Sequence, residues 1–194
     1  MRRTPPCSMQ MNIKKELDTM NEKSIIRTEA LYNDEKTHRF SLKKSWDNSK
    51  PSASIIMISP SVRANEIAMD ITSLYVLNNC YQLGCGSVDI LNLYSKLDAN
   101  PFENCPENDE WILKSCHKAD QVILGWGKGQ TQKSVDNRIQ EVLTMLKPYR
   151  NKLFEIADVN GKRGFHPLGT SVRLRWYLVP YQYPEKEKQE QKSE

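Results

Sequence analysis

Four short apolar runs, alternating with stretches of helical spacing, constrain this chain more than any other feature. Ser54–Ile58 (SIIMI), Val88–Leu91 (VDIL), Gln121–Leu124 (QVIL) and Leu153–Ala157 (LFEIA) have the length and β-branched content of buried strands. Between the first two, Glu66–Leu83 places Ile67, Ile71, Leu74 and Tyr75 on one helical face, with Gly84 where a helix C-terminus would put it. Glu107–Cys116 predicts a shorter helix. Val135–Lys147 repeats the helical spacing at Val135, Ile139, Val142, Leu143 and Leu146, and Pro148 stops it. Strands that alternate with helices predict an α/β three-layer sandwich whose short central sheet is mostly parallel and covered on both faces. Thr37–Trp46 and Arg173–Val179 are expected to add edge strands, and an exposed edge is one route to a homodimer or another protein partner.

A chain of 194 residues suits one domain with a sizeable core, expected here over residues 36–180. Residues 1–35 are polar with mixed charge and read as an extension, partly helical or disordered. Within it, residues 12–31 carry Ile13, Leu17 and Met20 at helical spacing. Residues 181–194, ending EKEKQEQKSE, read as a charged flexible tail. No apolar run approaches the roughly eighteen residues of a membrane span, and the MRRTPPCSMQ start lacks the apolar segment of a secretory signal, so a cytoplasmic location is expected. Five cysteines without CxxC pairing read as reduced thiols; no metal site and no cofactor are expected. Cys80 and Cys85 flank a helix end and read as buried, Trp46 reads as core, and His38 and His117 suggest no role. A net charge of +4 leans mildly towards anionic partners.

In parallel sheets ligands bind beyond the carboxyl ends of the strands, where loops and helix N-termini converge. Four segments should therefore share one rim. They are Ser59-Pro60-Ser61-Val62-Arg63, Asn92-Leu93-Tyr94-Ser95, Trp126-Gly127-Lys128-Gly129, and Gly164-Phe165-His166-Pro167-Leu168-Gly169. The third resembles a phosphate-binding P-loop, but G-x-x-x-x-G-K-S/T demands a glycine where Gln132 stands in GKGQTQKS. That side chain would come between the backbone and the phosphates. A Gly-rich strand-to-helix turn, or a ligand-lining role for Trp126 and Gly127 in a different kind of site, fits better.

R-F-S-L-x-x-x-W (Arg39 to Trp46), I-M-I-S-P-S (Ile56 to Ser61), D-I-T (Asp70 to Thr72), I-L-N-L-Y (residues 90–94), N-D (Asn108, Asp109), G-W-G (Gly125 to Gly127) and H-P-L (His166 to Leu168) occur in this order. Together they resemble the domain of unknown function 1643 family over about residues 37–178. That family is found in bacteria, phages and mobile elements, which implies a setting in phage–host conflict. More distantly, the chain is similar to uracil-DNA glycosylases, which also place a site at the strand ends of a short parallel sheet. That similarity implies a nucleobase-containing ligand, nucleotide or nucleic acid, bound by Ser59, Pro60, Ser61, Arg63, Asn92, Tyr94, Trp126, Gly127 and His166. Arg39, Lys128 and Arg173 are candidates for phosphate. If the protein is an enzyme, it implies hydrolysis of the N-glycosidic bond of uracil or a modified base, with Ser59, Asp70 and His166 catalytic.

The residue types suit that chemistry. An Asn side chain offers one acceptor and two donors, enough to read a base edge. A neutral histidine can donate to an oxygen that gains charge as a glycosidic bond breaks, and a flipped base needs such a pocket. Each residue also has an ordinary structural reading: Asn92 as a loop tie, His166 as a histidine at a proline turn, Ser59 and Ser61 as N-caps of the next helix. The family pattern has Asn before the proline, and this chain has Ser59, which is shorter and no general base. Asp70 is the candidate for the missing group, although its helical phase suggests another face. Base reading is thus better provided for than water activation, which favours a non-catalytic binder over a glycosylase. A protein-interaction module with no small-molecule site is the third alternative.

Overall fold

A computed structural model describes residues 22–97, 102–103, 105–128 and 132–184, and there the chain forms a mixed seven-stranded sheet covered on both faces. In chain order the elements are β1 (Arg27–Tyr32), β2 (Arg39–Ser45), β3 (Ser52–Met57), α1 (Ile71–Gln82), β4 (Ser87–Asn92), α2 (Pro106–Lys118), β5 (Gln121–Leu124), α3 (Lys133–Met145), a 3-10 turn (Lys147–Lys152), β6 (Leu153–Ala157) and β7 (Tyr177–Pro180). The strands lie in the order β1-β2-β4-β3-β5-β6-β7. β4, β3, β5 and β6 run parallel. β1 and β2 at one side and β7 at the other run antiparallel to their neighbours.

The parallel strands are continuous apolar runs because both of their faces are covered. Ile56, Leu91, Val122, Leu124 and Leu153 pack against Ile112 and Cys116 of α2 and Val135, Ile139, Val142 and Leu143 of α3. Ala53, Ile55, Val88, Ile90, Ile123 and Ile156 face the other way, against Val76 and Cys80 of α1 and against Val172 and Trp176. Each fully buried Ile, Leu or Val contributes roughly 1.5–3 kcal/mol relative to exposure, so these two apolar layers dominate what holds the sheet between its helices. Cys80, Cys85 and Cys116 are buried free thiols, and burial pushes the Cys116 thiol up to about 12. Among the described residues no helix is long and apolar enough to cross a membrane.

Four expectations require correction. Thr37–Trp46 does contain a strand, β2, but not an edge: it lies between β1 and β4. The edge is β1, from residues 27–32 of the supposed extension, which form a strand rather than the end of a helix over 12–31. Its alternation of exposed and half-buried positions gives it one packed face; residues 1–21 lie outside those described. At the far edge, β7 is shorter than Arg173–Val179. Residues 169–175 turn instead, because Asn79 accepts from the Trp176 amide at 2.8 Å and donates to the Arg173 carbonyl at 2.9 Å.

The fourth correction concerns α1. The helix begins at Ile71, capped by Asp70, whose carboxylate accepts from the Ser73 amide at 2.8 Å. Ser59 and Ser61 are therefore not its N-caps. Ile67, Ile71 and Leu74 are exposed, and the buried face is Ser73, Val76, Leu77, Asn79 and Cys80. Counting from Glu66 put the helix in the wrong phase, since two polar residues with specific partners occupy its inner face.

Candidate functional site

β4 ends between β2 and β3, and there the sheet opens into a cavity of about 310 Å³. Its wall is made by residues far apart in sequence: Arg39 from β2, Ser59, Pro60 and Ser61 after β3, Asp70 at the start of α1, Asn92 at the end of β4, and His166. Met57, Ile58, Ile90 and Phe102 supply apolar surface, and Thr72 and Ser73 add hydroxyls. Asn92 and His166 thus meet at one cavity, as the strand-end argument required. A larger groove of about 510 Å³ runs beneath α2, but its buried polar groups satisfy one another. Ser41 and Ser115 donate to the two oxygens of Asp89 at 2.5 and 2.6 Å, and Ser54 bonds Ser115 at 2.8 Å.

Asn92 is 1 % exposed, and its side-chain oxygen has no hydrogen-bond partner. Buried polar atoms are nearly always paired, so this oxygen is not a loop tie. It is a buried acceptor without a partner, on a residue that lines the cavity.

His166 is held differently. Its Nδ1 accepts the Leu168 amide at 3.2 Å, so the neutral ring carries its proton on Nε2. Burial lowers the ring's pKa from its ordinary value, because the charged form loses hydration. At neutral pH the ring is uncharged and has one N–H to offer.

Gly127 explains how the β5 loop contributes. Its φ is +80°, and an added Cβ would sit 3.2 Å from the His166 Cβ and 3.3 Å from its backbone nitrogen. The glycine lets the loop lie directly against the histidine. Trp126 is buried in the core on the α2–α3 side. Neither residue lines the cavity: Gly127 packs against His166, and Trp126 belongs to the α2–α3 core. Residues 129–131 of the P-loop-like stretch lie outside those described, and α3 begins at Lys133 without a side-chain cap.

Charge in the cavity comes from Arg39 and Asp70. Arg39 is 2 % exposed, and its Nη1 donates to the backbone carbonyls of Ser61 (3.3 Å) and Ala64, while Nε has no partner. This guanidinium anchors the Ser59–Ala64 loop to β2, which its assignment to a phosphate did not anticipate. Burial opposes ionisation of Asp70, but hydrogen bonds from Ser73 and from Ser61, together with the Arg39 charge, outweigh it and hold the carboxyl below its ordinary value. Asp70 is therefore a carboxylate on the cavity wall, not on the face its spacing suggested.

The remaining candidates lie elsewhere. Arg63 is exposed, its amide donating to Ser61 Oγ at 3.2 Å. Tyr94 is buried among the α2–α3 core residues, and its hydroxyl donates to the Ser134 carbonyl at 3.4 Å. The Lys128 stem lies over Gly164, where a Cβ would meet its Cε at 2.2 Å. Arg173 is exposed beyond α1. None of the four lines the cavity. Thr72, Ser73 and Phe102 do line it without having been singled out. For Thr72 the only available signal was its place two residues after Asp70 in the D-I-T motif.

The family model described as protein of unknown function (DUF1643) matches residues 39–168. That span begins at Arg39 and ends two residues after His166, so it encloses every residue named on the cavity wall. No curated protein and no solved structure matches the chain.

Proposed function

The chain belongs to the DUF1643 family, and we propose that it binds a nucleobase, carried by a nucleotide or a nucleic acid, in the cavity at the end of β4. The observation that carries this reading is the unpartnered side-chain oxygen of Asn92 on the wall that His166 shares. A base edge pairs a donor with an acceptor. Asn92 Oδ1 supplies the acceptor, and His166, neutral with its proton on Nε2, supplies a donor. The cavity, about 310 Å³, stands at the small end of ligand sites, which suits a base better than a whole dinucleotide. The likeness to uracil-DNA glycosylases singled out Ser59-Pro60, Asn92, Trp126-Gly127 and His166; it supports the same reading at three of these four places, since Trp126 and Gly127 do not line the cavity.

A second reading, hydrolysis of an N-glycosidic bond, is favoured by one observation: Asp70 lies on the same wall. A carboxylate there can orient water, which Ser59 alone does poorly. The test is thermal stabilisation by a panel of bases, nucleotides and uracil-containing oligonucleotides, which rises with ligand concentration if binding is to the folded state. Stabilisation that Asn92→Ala and His166→Ala both abolish supports binding. Free uracil released from the oligonucleotide moves the assignment to glycosylase. Absence of any response, with a stable protein complex recovered instead, rejects the nucleobase reading.

A further inference from the structure

Asn92 is presented to the cavity by a local departure from the sheet, and that departure has its own supports. β2 and β4 pair regularly from Ser45↔Ser87 to Leu42↔Ile90. They meet again at the His38↔Lys96 bridge, and the Arg39 amide donates to the Ser95 carbonyl at 2.8 Å. Between Leu42 and His38 β2 has three residues, Arg39 to Ser41, whereas the β4 side has five, Leu91 to Ser95. The longer side bulges, and bulges re-aim side chains. On the β3 side the ladder continues, Leu93 and Tyr94 donating to the Met57 and Ile58 carbonyls at 2.8 and 3.0 Å.

A buried bulge leaves backbone carbonyls that need partners. Two side chains from the helices below provide them. Asn108, in the first turn of α2 and 1 % exposed, donates through Nδ2 to the carbonyls of Asn92 (2.9 Å) and Leu93 (3.2 Å). Arg138 of α3, 4 % exposed, donates through Nε to Leu93 O at 3.2 Å. Its two terminal nitrogens engage Asp109, and Nη1 also reaches Glu141 at 3.3 Å. Buried Arg138 is thereby charge-compensated and held in orientation by a carboxylate that follows Asn108 directly.

We propose that Asn108 and Arg138, braced by Asp109, are positioning residues for Asn92: by holding the bulged carbonyls of residues 92 and 93 they fix where the Asn92 side chain points. The ligand arm of the test rests on the nucleobase reading; the structural arm does not. In the ¹⁵N-labelled full chain, the Asn92 side-chain amide gives one pair of resonances, identified by its loss in Asn92→Leu. Asn108→Ala and Arg138→Lys should each shift, broaden or split that pair. Arg138→Lys keeps the charge for Asp109 but loses the Nε donor, and it provides the same readout should Asn108→Ala not fold. Ile112→Val, on the same helix and without a side-chain donor for these carbonyls, should leave the pair in place. Free uracil should bind both clamp variants about tenfold more weakly, the low end of the loss seen when a group that orients a metal ligand is removed. An Asn92 amide unchanged in both folded clamp variants overturns the proposal. A shifted amide together with a wild-type protein that does not bind uracil supports the clamp and counts against the uracil form of the nucleobase reading.

Discussion

Replacing Asn92 by leucine should stabilise the protein while abolishing ligand binding, an outcome opposite to that for most buried asparagines. The side chain is 1 % exposed and its oxygen unpaired. A buried polar atom without a partner costs about 1–3 kcal/mol. Leucine has the same number of side-chain heavy atoms, branched at the same carbon, and adds apolar burial; its bulkier methyl groups can spread into the adjoining cavity, which keeps the packing cost at the low end of the about 1–3 kcal/mol of a small-to-large change. The net gain should be about 1 kcal/mol. In a chain of this length that corresponds to a rise in Tm of about 2–4 °C. Urea unfolding with linear extrapolation measures it directly, because a change in midpoint at constant slope is a change in stability. Stabilisation with loss of binding would identify Asn92 as a residue kept for its ligand at the expense of the fold. Destabilisation by 1 kcal/mol or more would refute the reasoning, since it would mean that the amide has structural partners.

Gly127→Ala should destabilise the protein by about 1–2 kcal/mol, the penalty of a left-handed backbone conformation for a residue with a Cβ. Because that Cβ would press on His166, binding should weaken beyond what the loss of stability explains, which titration well below the new Tm will show. Stability should fall on acidification below about pH 6.5, the ordinary histidine value. His166 has a lowered pKa when folded, so the unfolded chain takes up the proton first; the contribution is complete above the unfolded pKa and is lost as pH falls through the folded one. His166→Gln should flatten that part of the profile, and urea midpoints from pH 5 to 7.5 test it. Asn108→Ala should cost about 1–3 kcal/mol by taking the side-chain donor from the Asn92 carbonyl and leaving Leu93's to Arg138 alone, whereas Ile112→Val should cost about 0.5–1.5 kcal/mol.

The parallel sheet was legible because its strands are covered on both faces, which makes them short apolar runs regardless of what surrounds them. β1 was not, because an edge strand with charged residues on its open face has little local signature, and only its pairing to β2 defines it. The inner face of α1 escaped detection for a different reason. Asn79 is polar yet buried, held by three backbone partners that are distant in sequence or one turn away. The same limit applied at the site. Ser59, Asn92 and His166 could be named from their places after strands, since the topology of a parallel sheet gathers such residues. Trp126 and Gly127 occupy an equivalent place, but Trp126 packs into the α2–α3 core and Gly127 lies against His166, and the missing Cβ that permits this approach is a three-dimensional contact. Asn108 and Arg138 act on backbone carbonyls, which carry no residue identity for a motif to record.

Asp70 offers the sharpest division between a binder and a hydrolase, because its two tasks can be separated chemically. It caps α1 through the Ser73 amide and presents a carboxylate to the cavity. Asparagine caps a helix about as well as aspartate, so Asp70→Asn should keep the fold and the cavity while removing the charge. Its carboxyl is held below the ordinary value by Ser73, Ser61 and Arg39 despite burial. It is therefore a weak proton acceptor that can only orient water through a fixed negative charge, and a hydrolase built this way would lose that charge with the variant. A protein that only binds a base would retain its affinity, since the Asp70 carboxylate takes its hydrogen bonds from Ser73 and Ser61 and not from Asn92 or His166. The two outcomes are read in one preparation, from uracil release under single-turnover conditions and from thermal stabilisation by the same oligonucleotide. Release lost with stabilisation retained assigns Asp70 to catalysis. Retained stabilisation with no release from either protein assigns it to the cap alone. Loss of stabilisation in a folded Asp70→Asn protein would contradict both, and would mean that the carboxylate itself contacts the ligand.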